Sequence, residues 1–496
     1  MKVRTLTMLA APLFVSLAAA SCATIAPSDD PRDLDDENIG EAQQALVTDC
    51  VYFDTSVYTP LTVPVDFDRE VVIADLSVVE DPCRTTWAPA VGCAAGTVGA
   101  WTFATLMARM AGTTPVQQFV AEWLDTFETP QAVNGFPVNP RGNFRAAFLD
   151  PWLVASGCPA GSPIVGAGAC SLDLKIAPFR LLAIVNRIDL QGFTYGGETP
   201  GEARFVFGMT QLPLTGPLFD ASGQLNGAEL QATTIFEYKL PPTQDFCSWG
   251  ANWHTLSNLP FGGVYNTHLQ KLTDEFSSPG MDPSAPNFGV SIGQVRTNDI
   301  DLGFGPWVLR EYRLQDVGLG FNGFALQNGT TAQTPDDSIN NHPDLDAWTL
   351  ANAPDIDNTE HSVPEIDPTS GTAFLGGETS ASFFIWENGN TPPLSLSERY
   401  HFGFSTCNDC HTAATNTGFT HIAPRPIGAP TFLSTFLGMS TTPSTSNPRM
   451  PQFVQSVTDG MGFSTKFNEP WRRVCELNRI LRCEPKPYTR SNGGVH

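Results

Sequence analysis

Residues 177–190 read APFRLLAIVNRIDL and residues 202–209 read EARFVFGM. Both stretches are rich in β-branched and aromatic side chains and read as strands. Four further runs, at 71–76, 233–238, 291–295 and 307–312, have the same character. Helix-like segments cover 100–110, 115–127 and 266–276, the second opened by Thr114 as N-cap followed by Pro115. Strands outnumber helices and do not alternate regularly with them. The predicted fold class is therefore α+β, with a mixed, largely antiparallel sheet, rather than a doubly wound α/β fold.

That domain, of unknown task, is expected over residues 47–320. From 321 to 395 the composition turns to Asn, Asp, Pro, Gly and Thr, as in NGTTAQTPDDSINNHPDLD at 328–346, which predicts an ordered, loop-rich connector. Residues 396–496 are expected to form a third, small and mainly helical unit that ends in a helix at 469–481. With 41% hydrophobic residues the chain is globular, and its 43 glycines and 41 prolines point to many turns. No internal repeat is visible.

The first residues, MKVR, are basic, and residues 6–20 are apolar or small apart from Thr7 and Ser16. That order predicts an export signal over residues 1–21, too short for a membrane span. The small residues Ala19-Ala20-Ser21 leading into Cys22 resemble the lipobox of bacterial lipoproteins, which implies lipidation of Cys22. Ala23 after the cysteine implies sorting to the outer membrane by the same resemblance. Residues 22–46 then read as the anchor and an acidic, solvated tether. Loss of the leader removes two of the 27 basic residues and none of the 51 acidic ones, taking the net charge from −24 to −26. Such a chain repels phosphate backbones, so nucleic acid is not an expected partner. Membrane attachment is expected through lipid only.

Eleven cysteines are present. With Cys22, Cys407 and Cys410 set aside, an even set remains for disulfides in an oxidising compartment: Cys50, Cys83, Cys93, Cys158, Cys170, Cys247, Cys475 and Cys483. Cys83–Cys93 and Cys158–Cys170 would close short loops. Cys475 and Cys483 can pair only if the intervening helix stops near Leu481, because eight helical residues span about 12 Å. Cys50 with Cys247 follows by elimination.

Cys407-Asn408-Asp409-Cys410-His411 is a CxxCH motif. Two thiols three residues apart lie on one side of a helical turn, able to attach to two vinyl groups, and the next imidazole can reach the iron. The expected cofactor is one covalent haem c, held by Cys407 and Cys410 with His411 as axial ligand. Thr406 is a suitable N-cap for the short helix. A zinc site would need His421 as fourth ligand, but adjacent Cys and His are unusual in structural zinc sites and exported thiols tend to oxidise. A redox dithiol would need a preceding strand in a βαβ setting. GAPTFL at 428–433 resembles the Pro-x-x-Leu stretch of class I c-type cytochromes, and RMPQF at 449–453 resembles their axial-methionine segment. Candidate sixth ligands are Met450 and His421, with His401 a third, beside an open iron.

Other motifs carry less. Residues 289–293 match GxSxG, but the flanks are wrong for a strand–helix elbow. AIVNRIDL echoes a GTPase segment without any phosphate loop, and its expected role is a buried strand. NDIDLG at 298–303 and the acids Asp336, Asp337, Asp344 and Asp346 lack the spacing of a calcium loop. His254 and His268 read as structural.

The segments WTFATLMARMAG, APFRLLAIVNRIDL, EARFVFGM and WVLREYRL, with a late TCNDCH…GFTHIAPR, are similar to a group of exported proteins and lipoproteins of myxobacterial type. The likeness covers most of 80–440, implies one joined architecture and no activity, and includes a histidine at His421. Resemblance to c-type cytochromes is confined to about 396–455. The functional expectation is one-electron transfer through haem c at the cell envelope, with redox partner proteins on either side. The alternative is a surface binding or structural lipoprotein whose CxxCH is a disulfide, a zinc site or vestigial. A haem peroxidase is the third reading.

Overall fold

Among the described residues eight strands form one sheet, and seven of them pair antiparallel in chain order. They are β1 (Val72–Ile73), β2 (Phe179–Arg187), β3 (Glu202–Gln211), β4 (Ala228–Lys239), β5 (Ile292–Asp299), β6 (Val308–Asp316) and β7 (Phe324–Gly329). An eighth, β8 (Glu378–Ser380), pairs with the start of β6. The computed structural model describes residues 63–484, apart from 88–91, 191, 195–196, 243, 283–288, 304, 317–322, 360, 381–385, 390–392, 443–444 and 446–451. The leader, Cys22, the acidic tether, Cys50 and Met450 lie outside the described residues. The α+β expectation holds. Of the strand expected at 71–76 only Val72–Ile73 pairs, because Asp75 caps a helical turn at Leu76–Val79.

Alternation along each strand gives the sheet two unlike faces. The first carries Ile184, Phe205, Phe207, Phe236, Tyr238, Val295 and Tyr312, all in the main core. Helices α1 (Phe103–Ala111), α2 (Val116–Asp125), α3 (Phe246–His254) and α4 (Gly263–Ser277) contribute to that core. Phe103 stacks on Phe179 with ring centroids 3.7 Å apart, Trp123 meets Tyr312 edge-on at 5.9 Å, and Phe276 lies 5.3 Å from Tyr238. Thr102 caps α1. Thr114 does not cap α2: Pro115 takes the N-cap place, and the Thr114 hydroxyl accepts from the Phe324 amide at 2.8 Å, tying α2 to β7.

The opposite face carries Arg187, Arg204, Glu237, Arg296 and Glu311, brought together by the registers Arg204 to Glu237 and Arg296 to Glu311. It is covered by the C-terminal part of the chain: α7 (Leu396–Phe404), α8 (Cys407–Cys410), the hairpins β9 (Ile422–Ala423) with β10 (Phe432–Leu433) and β11 (Gln455–Thr458) with β12 (Ser464–Phe467), and α9 (Glu469–Ile480). Tyr400, Phe404, Phe436, Phe467, Leu477 and Ile480 join the main core, so this segment shares its packing with the sheet.

The stretch expected as a loop-rich connector is more regular than its composition suggests. It supplies β7 and β8 to the sheet, and α5 (Pro343–Ala351) and α6 (Ala353–Asp357) to a second core with Ile339, Phe374, Trp386 and Phe402. Its short polar residues act as caps: Asp336 accepts from the Ser338 amide and His342 from the Asp344 amide.

Disulfides Cys83–Cys93 and Cys158–Cys170 match the expectation. The other two pairings are corrected: Cys483 bonds Cys247, across 236 residues, so neither Cys475–Cys483 nor Cys50–Cys247 forms. The helix does stop at Ile480, as that pairing required, but α9 packs on α3 with Ile480 against Gly250, and the left-handed Cys483 (φ 58°) brings its sulfur to Cys247 instead. Cys475 is also in a disulfide. Among the described residues no helix is long and apolar enough to cross a membrane.

Two tests follow from this packing. Phe236→Ala removes a fully buried ring between Phe103 and Phe207 and is expected to cost about 3–5 kcal/mol in urea unfolding. In the second core, burial and then the nearby His401 push His361 from 6.5 down to about 4. Between those values the unfolded chain binds a proton that the folded chain refuses, so stability falls as pH drops from 6.5 toward 4. His361→Phe is expected to remove that slope, at most about 1.4 kcal/mol per pH unit, in urea midpoints compared at about pH 7 and about pH 5.

Candidate cofactor site

A capping box, Ser395 with Glu398, starts α7, and the chain turns at Ser405–Thr406 directly into α8. Thr406 stands at the N-cap position, but its hydroxyl donates to the Gly403 carbonyl at 2.6 Å and accepts from Trp386 Nε1 at 3.1 Å. The Cys407 amide donates to Thr334 Oγ1 at 2.8 Å. Asn408 donates to Asp337 Oδ1 at 3.1 Å, so one of the loop acids braces the motif. Asp409 folds back so tightly on Gly403 that any Cβ there would strike its carboxylate, which explains the glycine. Burial pushes Asp409 up to about 7, against the pull of Arg399.

Both cysteines are buried, and neither is in a disulfide. Burial pushes the Cys407 thiol up to about 11 and also raises Cys410 well above the ordinary thiol value. His411 Nδ1 lies 2.6 Å from the Phe419 carbonyl. A carbonyl only accepts, so Nδ1 carries the proton and the neutral ring keeps its lone pair on Nε2. Burial pushes this imidazole down to about 4 and keeps it neutral. The same carbonyl accepts from Asn298 Nδ2 at 2.6 Å, and Phe419, at φ 69°, stacks on Trp307 with centroids 5.4 Å apart. Metal-ligating histidines characteristically show this oriented second nitrogen.

His421 stands beside His411, with ring centroids 4.5 Å apart. Its Nε2 is 3.6 Å from Cys410 Sγ, and its Nδ1 is 3.1 Å from Ser434 Oγ. His401 instead turns to Asp357 at 3.1 Å.

Between the charged sheet face and this cover lies a cavity of about 90 Å³, below the usual range of cofactor sites. Arg187, Arg204, Ile235, Glu237, Arg296 and Glu311 line it from the sheet. Cys407, His411, His421, Ile422, Phe436 and Leu437 line it from the cover, and Arg473 from α9. Arg204 pairs with Glu202 at 2.9 Å and Glu237 at 3.3 Å, and Arg296 with Glu311 at 3.3 Å. Arg187 pairs with Asp189 at 2.9 Å. Even so, Arg187 Nη1 and Arg204 Nε are buried without a hydrogen-bond partner among the described residues. Buried, unmet donors of this kind are costly. Burial, and then Arg187, push the Arg473 guanidinium down to about 10.

Sequence reasoning singled out Cys407, His411 and His421 but missed the arginines. The signal was present: Arg187, Arg204, Glu237, Arg296 and Glu311 recur as charges inside otherwise buried strands, one strand after another. Cys410 does not line the cavity; it sits behind His421. Among the described residues no group of three or more His, Cys, Asp or Glu side chains is gathered to hold a metal ion, so a Cys/His zinc cluster is not assembled.

The remaining motifs resolve as packing. Ser291 is buried at the start of β5 and donates to the Phe276 carbonyl at 3.0 Å. Asp299 pairs with Arg141 at 2.8 Å, Asp301 accepts from the Gln231 amide at 2.7 Å, and Asp346 from the Gly389 amide at 3.1 Å. His254 bonds Glu70 at 2.8 Å. Comparison with protein-family models, curated proteins and solved structures finds no match for this chain.

Thiols this deeply buried and this weakly acidic are poor nucleophiles. In protein made without haem attachment, neither Cys407 nor Cys410 is expected to react with iodoacetamide near neutral pH until the chain is unfolded, as read by mass spectrometry of the labelled peptides.

Proposed function

We propose that this chain carries one covalent haem c in the cavity between the charged sheet face and the CxxCH helix, and that it transfers single electrons. The observation that carries the reading is the joint lining of one cavity by Cys407, by His411 with its lone pair on Nε2, and by guanidinium groups with unmet donors. A haem, when bound, supplies an iron centre that gains and loses one electron.

The chain's own residues have separable tasks. Cys407 and Cys410 would hold the group covalently, and His411 would hold the metal from one side. The Phe419 carbonyl, itself fixed by Asn298, keeps the His411 ring in the required tautomer and orientation. Val185, Val206, Ile235, Leu309, Phe436 and Leu437 exclude water from the cavity, which favours a polarised, tunable metal environment. His421, its ring centroid 4.5 Å from that of His411 and its Nδ1 3.1 Å from Ser434 Oγ, would be a second imidazole available to the metal. Met450 lies outside the described residues.

The cytochrome c-like character lies in the motif and its axial histidine, set here on a larger α+β frame. The proposal extends to an exported lipoprotein anchored through Cys22, at the outer membrane or facing the periplasm, and to unidentified redox proteins as partners. A second reading has an observation of its own. Unmet arginine donors lining the cavity also suit a surface binding protein for a small anionic ligand, with the thiols left unmodified.

The test is a visible spectrum of the full chain purified from a strain competent for haem attachment. The expected result is colour that survives acid-acetone extraction, a haem-sized mass increment on the peptide with both cysteines, and loss of both in a Cys407→Ala, Cys410→Ala variant. A colourless protein overturns the assignment.

A further inference from the structure

We infer that Arg187, Arg204 and Glu237 form a binding site for a small 2-hydroxy carboxylate, the two guanidiniums taking its carboxylate and Glu237 its hydroxyl. This assignment rests on the second, binding-protein reading and gives the anion a size and a second functional group.

Strand register sets the three side chains next to one another. Arg204 on β3 stands directly opposite Glu237 on β4. Arg187 on β2 stands opposite Glu202, two residues before Arg204. Opposed and diagonal residues of an antiparallel pair share one face and lie within about 5–8 Å of each other. All three line the cavity, and all are buried, Arg187 at 1% exposure, Arg204 at 7% and Glu237 at 2%.

Neighbours take up most of their hydrogen-bonding capacity, and the remainder is specific. Asp189 accepts from Nε and Nη2 of Arg187, and Glu202 from Nη2 of Arg204. Glu237 Oε2 accepts from Gln294 Nε2. Arg187 Nη1, Arg204 Nε and Glu237 Oε1 have no hydrogen-bond partner among the described residues, although Oε1 stands 3.3 Å from Arg204 Nη1. Two donors and one acceptor, side by side and away from water, call for a ligand with acceptor oxygens and one donor. A carboxylate suits the donors, because charge-assisted bonds to a planar guanidinium are strong. The ligand's own donor is a hydroxyl rather than an ammonium, since Arg204, Arg296 and Arg473 line the same cavity and repel a cation. Size completes the assignment. The cavity of about 90 Å³ equals the share of liquid volume of roughly three waters. That admits glycolate, the smallest 2-hydroxy acid, and rejects long-chain or aromatic acids.

The full-length protein, made without haem attachment, is titrated by calorimetry near neutral pH with glycolate, acetate, glycine and glycolamide. Glycolate is expected to bind roughly tenfold or more tighter than acetate, which lacks the hydroxyl, and than glycine, which replaces it with an ammonium. Glycolamide, which lacks the carboxylate, is expected not to bind. Arg187→Gln is expected to weaken glycolate binding by about tenfold or more. The comparison of ligands stands even if that variant fails to fold. Acetate or glycine binding as tightly as glycolate overturns the hydroxy-acid site and leaves a binding protein for small carboxylates in place. Binding of none of the acids overturns the site and the binding-protein reading together.

Discussion

A row of guanidinium and carboxylate groups across the second face of the sheet is the constraint that the rest of the structure answers to. Arg204, Glu237, Arg296 and Glu311 come from four successive strands and face one another through the pairing registers. A one-residue slip in any strand would turn these charges into the aromatic core and the phenylalanines onto the polar side. Register is therefore specified from both faces at once. Burying such a row is costly unless each charge finds a partner, and the cover of α7 to α9 still leaves Arg187 Nη1 and Arg204 Nε without one among the described residues. A void bordered by arginines is the outcome.

The two faces also explain how much of the fold was legible. Strands in AIVNR and ARFVFG were visible because β-branched and aromatic residues crowd them, and α+β followed from their number and order. Their burial on both faces hid the alternation that would have separated core-facing from cavity-facing residues. The placing of Arg187 and Arg204 on the cavity side was therefore hidden. Thr114 was misread as a cap because helix-start chemistry is local, whereas its hydroxyl is claimed by Phe324, 210 residues away. The connector was under-read for the opposite reason: asparagines and aspartates that look like loop formers are caps and braces, as Asp336 and Asp337 are.

At the motif, the chemistry-bearing residues were readable and their surroundings were not. CxxCH spacing is a local pattern, so Cys407, Cys410 and His411 stand out from the chain alone. That His411 is oriented by the Phe419 carbonyl, that Gly403 exists to admit Asp409, and that His421 covers Cys410 are products of tertiary packing. The disulfide pattern shows the same division. Short-loop pairs follow from separation, while Cys247 with Cys483 depends on where α9 ends.

That last cross-link gives chain order a temporal meaning. The sheet floor emerges first during synthesis, the two thiols follow, and the α9 wall with Arg473 comes later, fastened to α3 by a bond across 236 residues. The motif therefore exists as open polypeptide before its enclosure is sealed. Once formed, the Cys247–Cys483 bond limits how far the α9 wall can move from α3 and from the sheet.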